Sequence, residues 1–280
     1  MQLNYRQAIG KLIYAMVTYR PDISFPLIKL SQYSDNPAEE HYIAVKDIFH
    51  YLHCTKSEGI HYWRPEINVD LPPPLGTFDT EPDECEATIQ DNATTLKSAT
   101  DSDWGGDSMH RKSVTGFVIK LAGGSIYYKS KFQVTIALSS CEAEFVAATE
   151  TGKAILYIQT ILEEIGIPQN DATILHIDNN GALNMANQSQ PTRNTRHMEL
   201  KHFTIQQWVE RDLLYLRRIN TMHNYADAIT KVLGRTKFHS HFDYILGRLR
   251  PAYAVNMLHP TGKAIRTAYG GVSVVHNHIK

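Results

Sequence analysis

The sequence predicts a mixed β-sheet with helices, α/β or α+β in class, with a small helical unit ahead of it. Three observations carry that prediction. Segments rich in β-branched and aromatic residues cluster between Thr94 and Ser140, punctuated by glycines. Beyond Ser140, helical and strand patterns alternate, and strands followed by such alternation give a mixed sheet. Ahead of residue 64 the apolar residues recur only at helical spacing.

Composition sets the frame. Of the 280 residues, 42% are hydrophobic and 20% charged, enough apolar chain to bury a core. A formal net charge of −1 makes any basic, nucleic-acid-binding surface a local one. Three widely spaced cysteines, Cys54, Cys85 and Cys141, form no C-x-x-C pair, which argues against a cysteine zinc site or a disulfide framework and points to a reducing compartment. Neither a spanning apolar run nor the apolar core of a signal peptide is present, so no membrane partner and no secretion are expected.

Each element follows in order. "YRQAIGKLIYAMV" and "RPDISFPLIKLSQYS" read as helical. "DNPAEEHYIAVKDIFHYLHCT" predicts a helix with Asn36 as N-cap, Pro37 at the first position, Glu39 closing a capping box, and Val45, Ile48, Phe49 and Leu52 as its buried stripe. Residues 1–63 thus form a helical unit without evident chemistry. Residues 64–94 contain acidic residues, a Pro-Pro-Pro run and no base after Arg64, which predicts a linker. "TTLKSATDSDW", "SVTGFVIKLAG", "GSIYYKSK" and "QVTIALSS" read as four strands. A long helix should run from about Ser140 to Ile165, stopped by Gly166 and Pro168. "ATILHIDNNGA" reads as a strand, turn and short helix; "RHMELKHFTIQQWVERD" as a helix; "LLYLRRI" as a strand; "NYADAITKVL" and "KFHSHFDYILG" as helices. Residues 250–280 show no period and are read as a tail.

The start of the long helix, "ALSSCEAEF", separates two glutamates. With Ser139 as N-cap, Glu142 falls at the third helical position and completes a capping box, a structural task. Tracing the apolar stripe backwards through Ile165, Leu162, Ile158, Ile155, Thr151 and Ala148 lands on Glu144. The two carboxylates are roughly 200° apart around the helix. Glu144 therefore lies on the sheet-facing side, where a carboxylate is costly unless paired or metal-bound, or it is a half-exposed residue at the stripe's edge. Three more positions invite the same test. Asp178 ends a strand, where α/β sites gather, although an aspartate before Asn-Asn-Gly also makes turns. Asp101 shares its strand face with Asp103, with Asp107 nearby, and spacing does not choose among them. Asp227 lies near a helix start, where a dipole role competes. Four carboxylates at element ends could form an oxygen-rich site for a hard divalent cation such as Mg²⁺ or Mn²⁺, suited to phosphodiester cleavage.

The quoted residues also resemble a known family. "SDWGGD…RKSVTGFVIKLAGGSIYYKSKFQVTIALSSCEAEFVAATE", then "IDNNGALNMA", "TRHMELKHF" and "NYADAITK" in that order, resemble the ribonuclease H domain of copia-type retrotransposon Pol polyproteins. Residues 4–63 are similar to the region joining the reverse transcriptase to that domain. The resemblance implies a ribonuclease H-like fold over 95–249, a five-stranded mixed sheet with flanking helices. It implies that Asp101, Glu144, Asp178 and Asp227 form the catalytic metal site, choosing Asp101 over Asp103. Two Mg²⁺ or Mn²⁺ ions would there bridge a scissile phosphate, one activating water and one stabilising the leaving 3′ oxygen. It further implies an RNA–DNA hybrid as substrate, a reverse transcriptase palm and fingers as the missing partner in a parent polyprotein, and a cytoplasmic, particle-associated or nuclear setting.

The sequence departs from that pattern in places. Where cellular ribonucleases H carry a mobile histidine, this chain has Arg217; His223 is the nearest substitute and reads equally as a loop residue. The 65–94 segment is long for the family, and no Y-x-D-D of a polymerase occurs, so the chain reads as a polyprotein fragment. Candidate phosphate contacts are Lys129 and Lys131 beside a turn, and Arg193, Arg196, His197, Lys201 and His202 in "TRNTRHMELKH". Two other readings compete. One is an inactive remnant that binds nucleic acid or a polymerase; the other is an integrase-type nuclease, disfavoured because its glutamate comes last.

Overall fold

The computed structural model describes residues 4–62, 94–107, 111–187 and 199–248. The linker over 64–94 and the tail over 250–280 therefore lie, but for Thr94, outside the described residues.

Three helices form the first unit: α1 (Tyr5–Thr18), α2 (Ser24–Ser31) and α3 (Glu39–Cys54), with a 3-10 turn at Pro21–Ile23. Asn4 caps α1 by accepting from the Gln7 N–H at 3.2 Å. Tyr5, Ile9, Leu12, Leu27, Val45 and Ile48 meet in its core, with Phe49 and Leu52 packed against it. The start of α3 differs from the expected one. Ala38 is its N-cap, and His41 Nδ1 accepts from the Ala38 N–H at 2.9 Å, so a histidine does what Glu39 was expected to do. Pro37, lacking an N–H, precedes the cap. Inside this unit lies a buried ion pair. The Arg20 Nε donates to Asp22 Oδ1 at 2.9 Å, its Nη2 donates to Thr55 Oγ1 at 2.7 Å, and the Tyr51 hydroxyl donates to Asp22 Oδ2 at 2.7 Å.

The second part is the expected ribonuclease H-like α/β fold. Strands β1 (Lys97–Asp103), β2 (Val114–Leu121) and β3 (Gly124–Phe132) are antiparallel neighbours, and β4 (Thr173–Ile177) and β5 (Leu214–Arg218) add in parallel beyond β1. The five-stranded order is β3-β2-β1-β4-β5. Helix α4 (Ser140–Glu164) covers one face through Phe145, Ile155, Ile158 and Leu162 against Phe117, Ile119, Leu175 and Ile177. Burying side chains of this size stabilises by about 1.5–3 kcal/mol each. Helices α5 (Asn180–Asn187) and α6 (Glu199–Glu210) extend that layer. On the other face, a 3-10 turn at Tyr225–Ile229 and α7 (Arg235–Ile245) pack Tyr225, Ile229, Phe242 and Ile245 against Ala99 and Val118.

Three sequence expectations are corrected. "QVTIALSS" is a loop, not a fourth strand, and Val134, Ile136 and Leu138 are exposed. Its alternation finds no partner strand because local bonds take its polar groups. The Gln133 amide donates to Thr115 Oγ1 and Ala143 O, the Trp104 indole N–H donates to Ala137 O, and the Leu138 N–H donates to Glu142. "NYADAITKVL" forms only the short 3-10 turn, capped by Asn224 accepting from the Ala226 N–H at 3.2 Å. Ile165, expected in the stripe of α4, is its exposed C-cap.

The helical unit is fastened to the sheet. The Tyr128 hydroxyl of β3 donates to Met16 O at 2.7 Å, and Lys29 Nζ donates to Gly106 O at 2.6 Å. His61 is clamped between the β2–β3 turn and the end of α7, its N–H donating to Leu246 O at 2.8 Å. Gly124 and Gly247 permit that approach: a Cβ would stand 2.4 Å and 2.2 Å, respectively, from His61 O. Among the described residues no helix is long and apolar enough to cross a membrane. Cys54 and Cys141 are free thiols, and Cys85 lies outside the described residues.

Candidate metal centre

Three separate elements deliver carboxylates to one end of the sheet. Asp101 lies near the end of β1, Asp178 directly follows β4, and Glu144 comes from the first turns of α4. β1 and β4 are parallel neighbours, so their carboxyl ends open side by side, where α/β sites gather. Oxygens of Asp101, Glu144 and Asp178 all lie within 4.8 Å of one another. Asp101 and Glu144 are buried and Asp178 is half-buried. The Ser102 N–H donates to Glu144 Oε1 at 3.1 Å, fixing that side chain across the strand end. Its Oε2 is buried with no hydrogen-bond partner.

Glu142 behaves differently. Ser139 Oγ accepts from the Glu142 N–H at 3.1 Å, and the Glu142 carboxylate accepts from the Leu138 N–H at 2.7 Å, one residue before the expected Ser139 N–H. It clamps the entry to α4 and stands outside the carboxylate group.

Asp227 stands apart from the other three. It lies in the 3-10 turn, with Lys231 Nζ 2.9 Å from its Oδ1 and Lys237 Nζ 2.6 Å from its Oδ2. Lys231 Nζ also reaches Asp101 Oδ1 at 3.4 Å, and the Thr230 hydroxyl donates to Asp101 Oδ2. Gly116, opposite Asp101 in β2, makes room for this: a Cβ there would come 2.3 Å from the Thr230 methyl. Sequence reasoning passed over Thr230, Lys231, Lys237 and Gly116. One signal was available, because Lys231 sits four residues after Asp227 in "ADAITK", the spacing of an acid–base pair on one helical face.

Charge crowding shows in the proton affinities. Burial, with Asp227 and Asp178 adding repulsion against the pull of Lys231 and Thr230, leaves Asp101 pushed up to about 7. Burial and then the Asp101 and Asp178 charges push Glu144 well above the carboxylate range. Lys231 is opposed by burial, but Asp101 and Asp227 outweigh it and hold the lysine above its ordinary range. Both carboxyl groups therefore bind protons more tightly folded than unfolded. For Asp101 the contribution to stability is complete below the unfolded carboxylate range near pH 4 and is lost as pH rises through about 7, and the Glu144 contribution changes in the same direction. Thermal unfolding in EDTA should accordingly give a lower midpoint at pH 7.5 than at pH 5.5. Glu144→Gln should flatten that slope; an unchanged slope would place the pH dependence elsewhere.

The other candidates are distributed as follows. Asp103 ends β1 and packs against the Gly106 turn, half-buried, with Lys29 charge nearby. Asp107 closes a loop, its N–H donating to Lys112 O and its carbonyl accepting from the Arg111 N–H. Neither belongs to the three-carboxylate group. Lys129 and Lys131 lie on β3; against the burial of Glu150 on α4, the Lys153 hydrogen bond and charge favour its ionised form, and the Lys129 and Lys131 charges add to that. Arg193, Arg196 and His197 lie outside the described residues, as do the side chains of Lys201 and His202 on α6. Arg217 is on β5. His223 sits in the turn before the 3-10 segment, its N–H donating to Asn220 O at 2.8 Å.

No protein-family model matches the chain. Over 234 residues, 84% of this chain, it is 34% identical to the "Retrovirus-related Pol polyprotein from transposon TNT 1-94" of Nicotiana tabacum, and it spans 16% of that protein's length. It is 31% identical over 154 residues to "Secreted RxLR effector protein 161" of Plasmopara viticola, 55% of this chain and 90% of that protein. Among solved structures, LC11-RNase H1, isolated from compost by a metagenomic approach, aligns with 49% of this chain and 92% of its own, at 16% identity and a TM-score of 0.38.

Proposed function

We infer what the chain does from its homologues, the retrovirus-related Pol polyproteins of copia-type transposons. We propose that it is a metal-dependent ribonuclease H, an endonuclease that hydrolyses the RNA strand of an RNA–DNA hybrid during reverse transcription. One observation carries the reading: Asp101, Glu144 and Asp178 present oxygens within 4.8 Å of one another at the sheet's end.

The donor set fits a divalent cation. It is all oxygen, which suits hard ions such as Mg²⁺ and Mn²⁺. The buried Glu144 Oε2 has no hydrogen-bond partner, and a buried carboxylate oxygen in that condition is costly unless something positive faces it. Asp101, Glu144 and Asp178 would hold one ion, and Asp101 with Asp227 a second. Bound there, the ions would supply an activated water and charge stabilisation for the leaving oxygen. The chain's own residues do the rest. The Ser102 N–H aims Glu144, the Thr230 hydroxyl aims Asp101, and Lys231 and Lys237 orient Asp227.

Substrate contacts follow from charge. Lys129, Lys131, Arg193, Arg196, His197 and Lys201 are proposed to touch phosphates along the hybrid. The reverse transcriptase palm and fingers of a parent polyprotein are the proposed protein partner, and a virus-like particle or the nucleus the setting. The purified chain should cut the labelled RNA strand of a hybrid with Mg²⁺ or Mn²⁺, stop in EDTA, and leave double-stranded DNA intact. Equal cleavage of hybrid and DNA would overturn the assignment. Hybrid binding without cleavage would favour a non-catalytic remnant.

A further inference from the structure

The carboxylates are not equivalent, and the difference is made by one lysine. Lys231 Nζ lies 2.9 Å from Asp227 Oδ1 and 3.4 Å from Asp101 Oδ1, so its ammonium bridges the two. Lys237 takes the other Asp227 oxygen at 2.6 Å, and Thr230 donates to the other Asp101 oxygen. Asp227 thus meets a cation at each oxygen. Asp227 Oδ1 and Glu144 Oε2 are both buried without a hydrogen bond, but Asp227 Oδ1 has the Lys231 ammonium 2.9 Å away, and no such cation faces Glu144 Oε2 among the described residues. One part of the site, Asp101–Glu144–Asp178, is electron-rich and incompletely satisfied. The other, Asp101–Asp227, already contains a positive charge.

We propose that Lys231 is a tethered stand-in for the second cation, a positioning residue that makes the two ions bind in order. The proposal rests on the metal-site reading above. The first ion enters Asp101–Glu144–Asp178 without displacing a protein charge. The second must take the place of an ammonium between Asp101 and Asp227. Such an exchange has a route, because the Lys231 side chain is 34% exposed and its four-carbon stem can swing its charge into solvent. With no ion present, the same lysine offsets the repulsion between Asp101 and Asp227, two buried carboxylates that would otherwise push apart.

Mn²⁺ titration of the full chain, with free ion followed by electron paramagnetic resonance, tests this without any cleavage readout. The wild-type chain should bind one Mn²⁺ tightly and a second at least about tenfold more weakly, because a fixed like charge a few ångströms away opposes the second. Lys231→Met should tighten the second ion by about tenfold or more, and the first, which shares Asp101, by clearly less. Lys231→Arg, which keeps the charge and also guards against a mere packing effect, should stay near the wild type. Equal affinities in the wild-type chain, or unchanged second-ion affinity in Lys231→Met with native circular dichroism, would overturn the proposal. A Lys231→Arg chain that matches Lys231→Met would do so as well. Asp178→Asn separates this from failure of the site itself: it should weaken the first ion in both backgrounds. If it changes no ion's affinity, the carboxylate site has been misplaced and the ordering with it.

Discussion

Glu144→Gln should abolish hybrid cleavage, to below about 1% of the wild-type rate if a metal ligand has been lost, and leave the fold intact. The substitution keeps the shape and the acceptor for the Ser102 N–H while removing a buried negative charge. That charge is opposed by burial and by Asp101 and Asp178, so metal-free stability should hold or rise slightly. Glu142→Ala should do the opposite. It removes the acceptor for the Leu138 N–H at the entry to α4, and stability should fall by about 0.5–1 kcal/mol while activity per folded molecule survives. Thermal unfolding in EDTA, with hybrid cleavage at saturating Mg²⁺, reads both variants. A dead Glu142→Ala enzyme beside an active Glu144→Gln enzyme would show that both the helix phase and the family carry-over mislead.

Arg20→Ala should be the most destabilising of the changes considered, by about 3–5 kcal/mol in urea unfolding. The side chains of Arg20 and Asp22 are 2% and 1% exposed. Removing the guanidinium leaves the Asp22 carboxylate buried with the Tyr51 hydroxyl as its remaining partner and strips Thr55 of its donor. The cost lies in the stranded charge more than in the lost attraction. A double variant, Arg20→Met with Asp22→Leu, should therefore recover much of the loss, since well-packed apolar pairs often replace buried ion pairs without penalty. If the double variant is as unstable as Arg20→Ala, the hydrogen bonds to Thr55 hold the unit together and the ion pair does not.

Elements with a long period were legible in the sequence. The stripe on α4 located Ala148, Thr151, Ile155 and Glu144 on the buried side, because 25 residues at 3.6 per turn leave little freedom of phase. Shorter signals failed where tertiary bonds decide. The alternation of Val134, Ile136 and Leu138 reads as a strand, but Gln133, Trp104 and Glu142 occupy the loop's polar groups and leave those side chains outside. At α3 the cap fell to Ala38, because a histidine ring three residues on can accept as a glutamate would. In the site, a period of two could not separate Asp101 from Asp103, and the family resemblance made that choice. The bridge from Lys231 to Asp101 spans 130 residues, a distance no local spacing encodes.

The clamp on His61 has a consequence for how the chain would behave when broken. Tyr62 donates to Ser125 O at the β2–β3 turn, and β1 begins at Lys97, paired with Lys120 at that same end of the sheet. Tyr62 and Lys97 thus both stand at one end of the sheet, away from Asp101 and Asp178. Cutting one peptide bond between residues 62 and 94 would leave each of those described contacts in place. The two fragments would remain docked through His61, Tyr62, Lys29 and Tyr128, a split protein whose halves recognise each other without a covalent link.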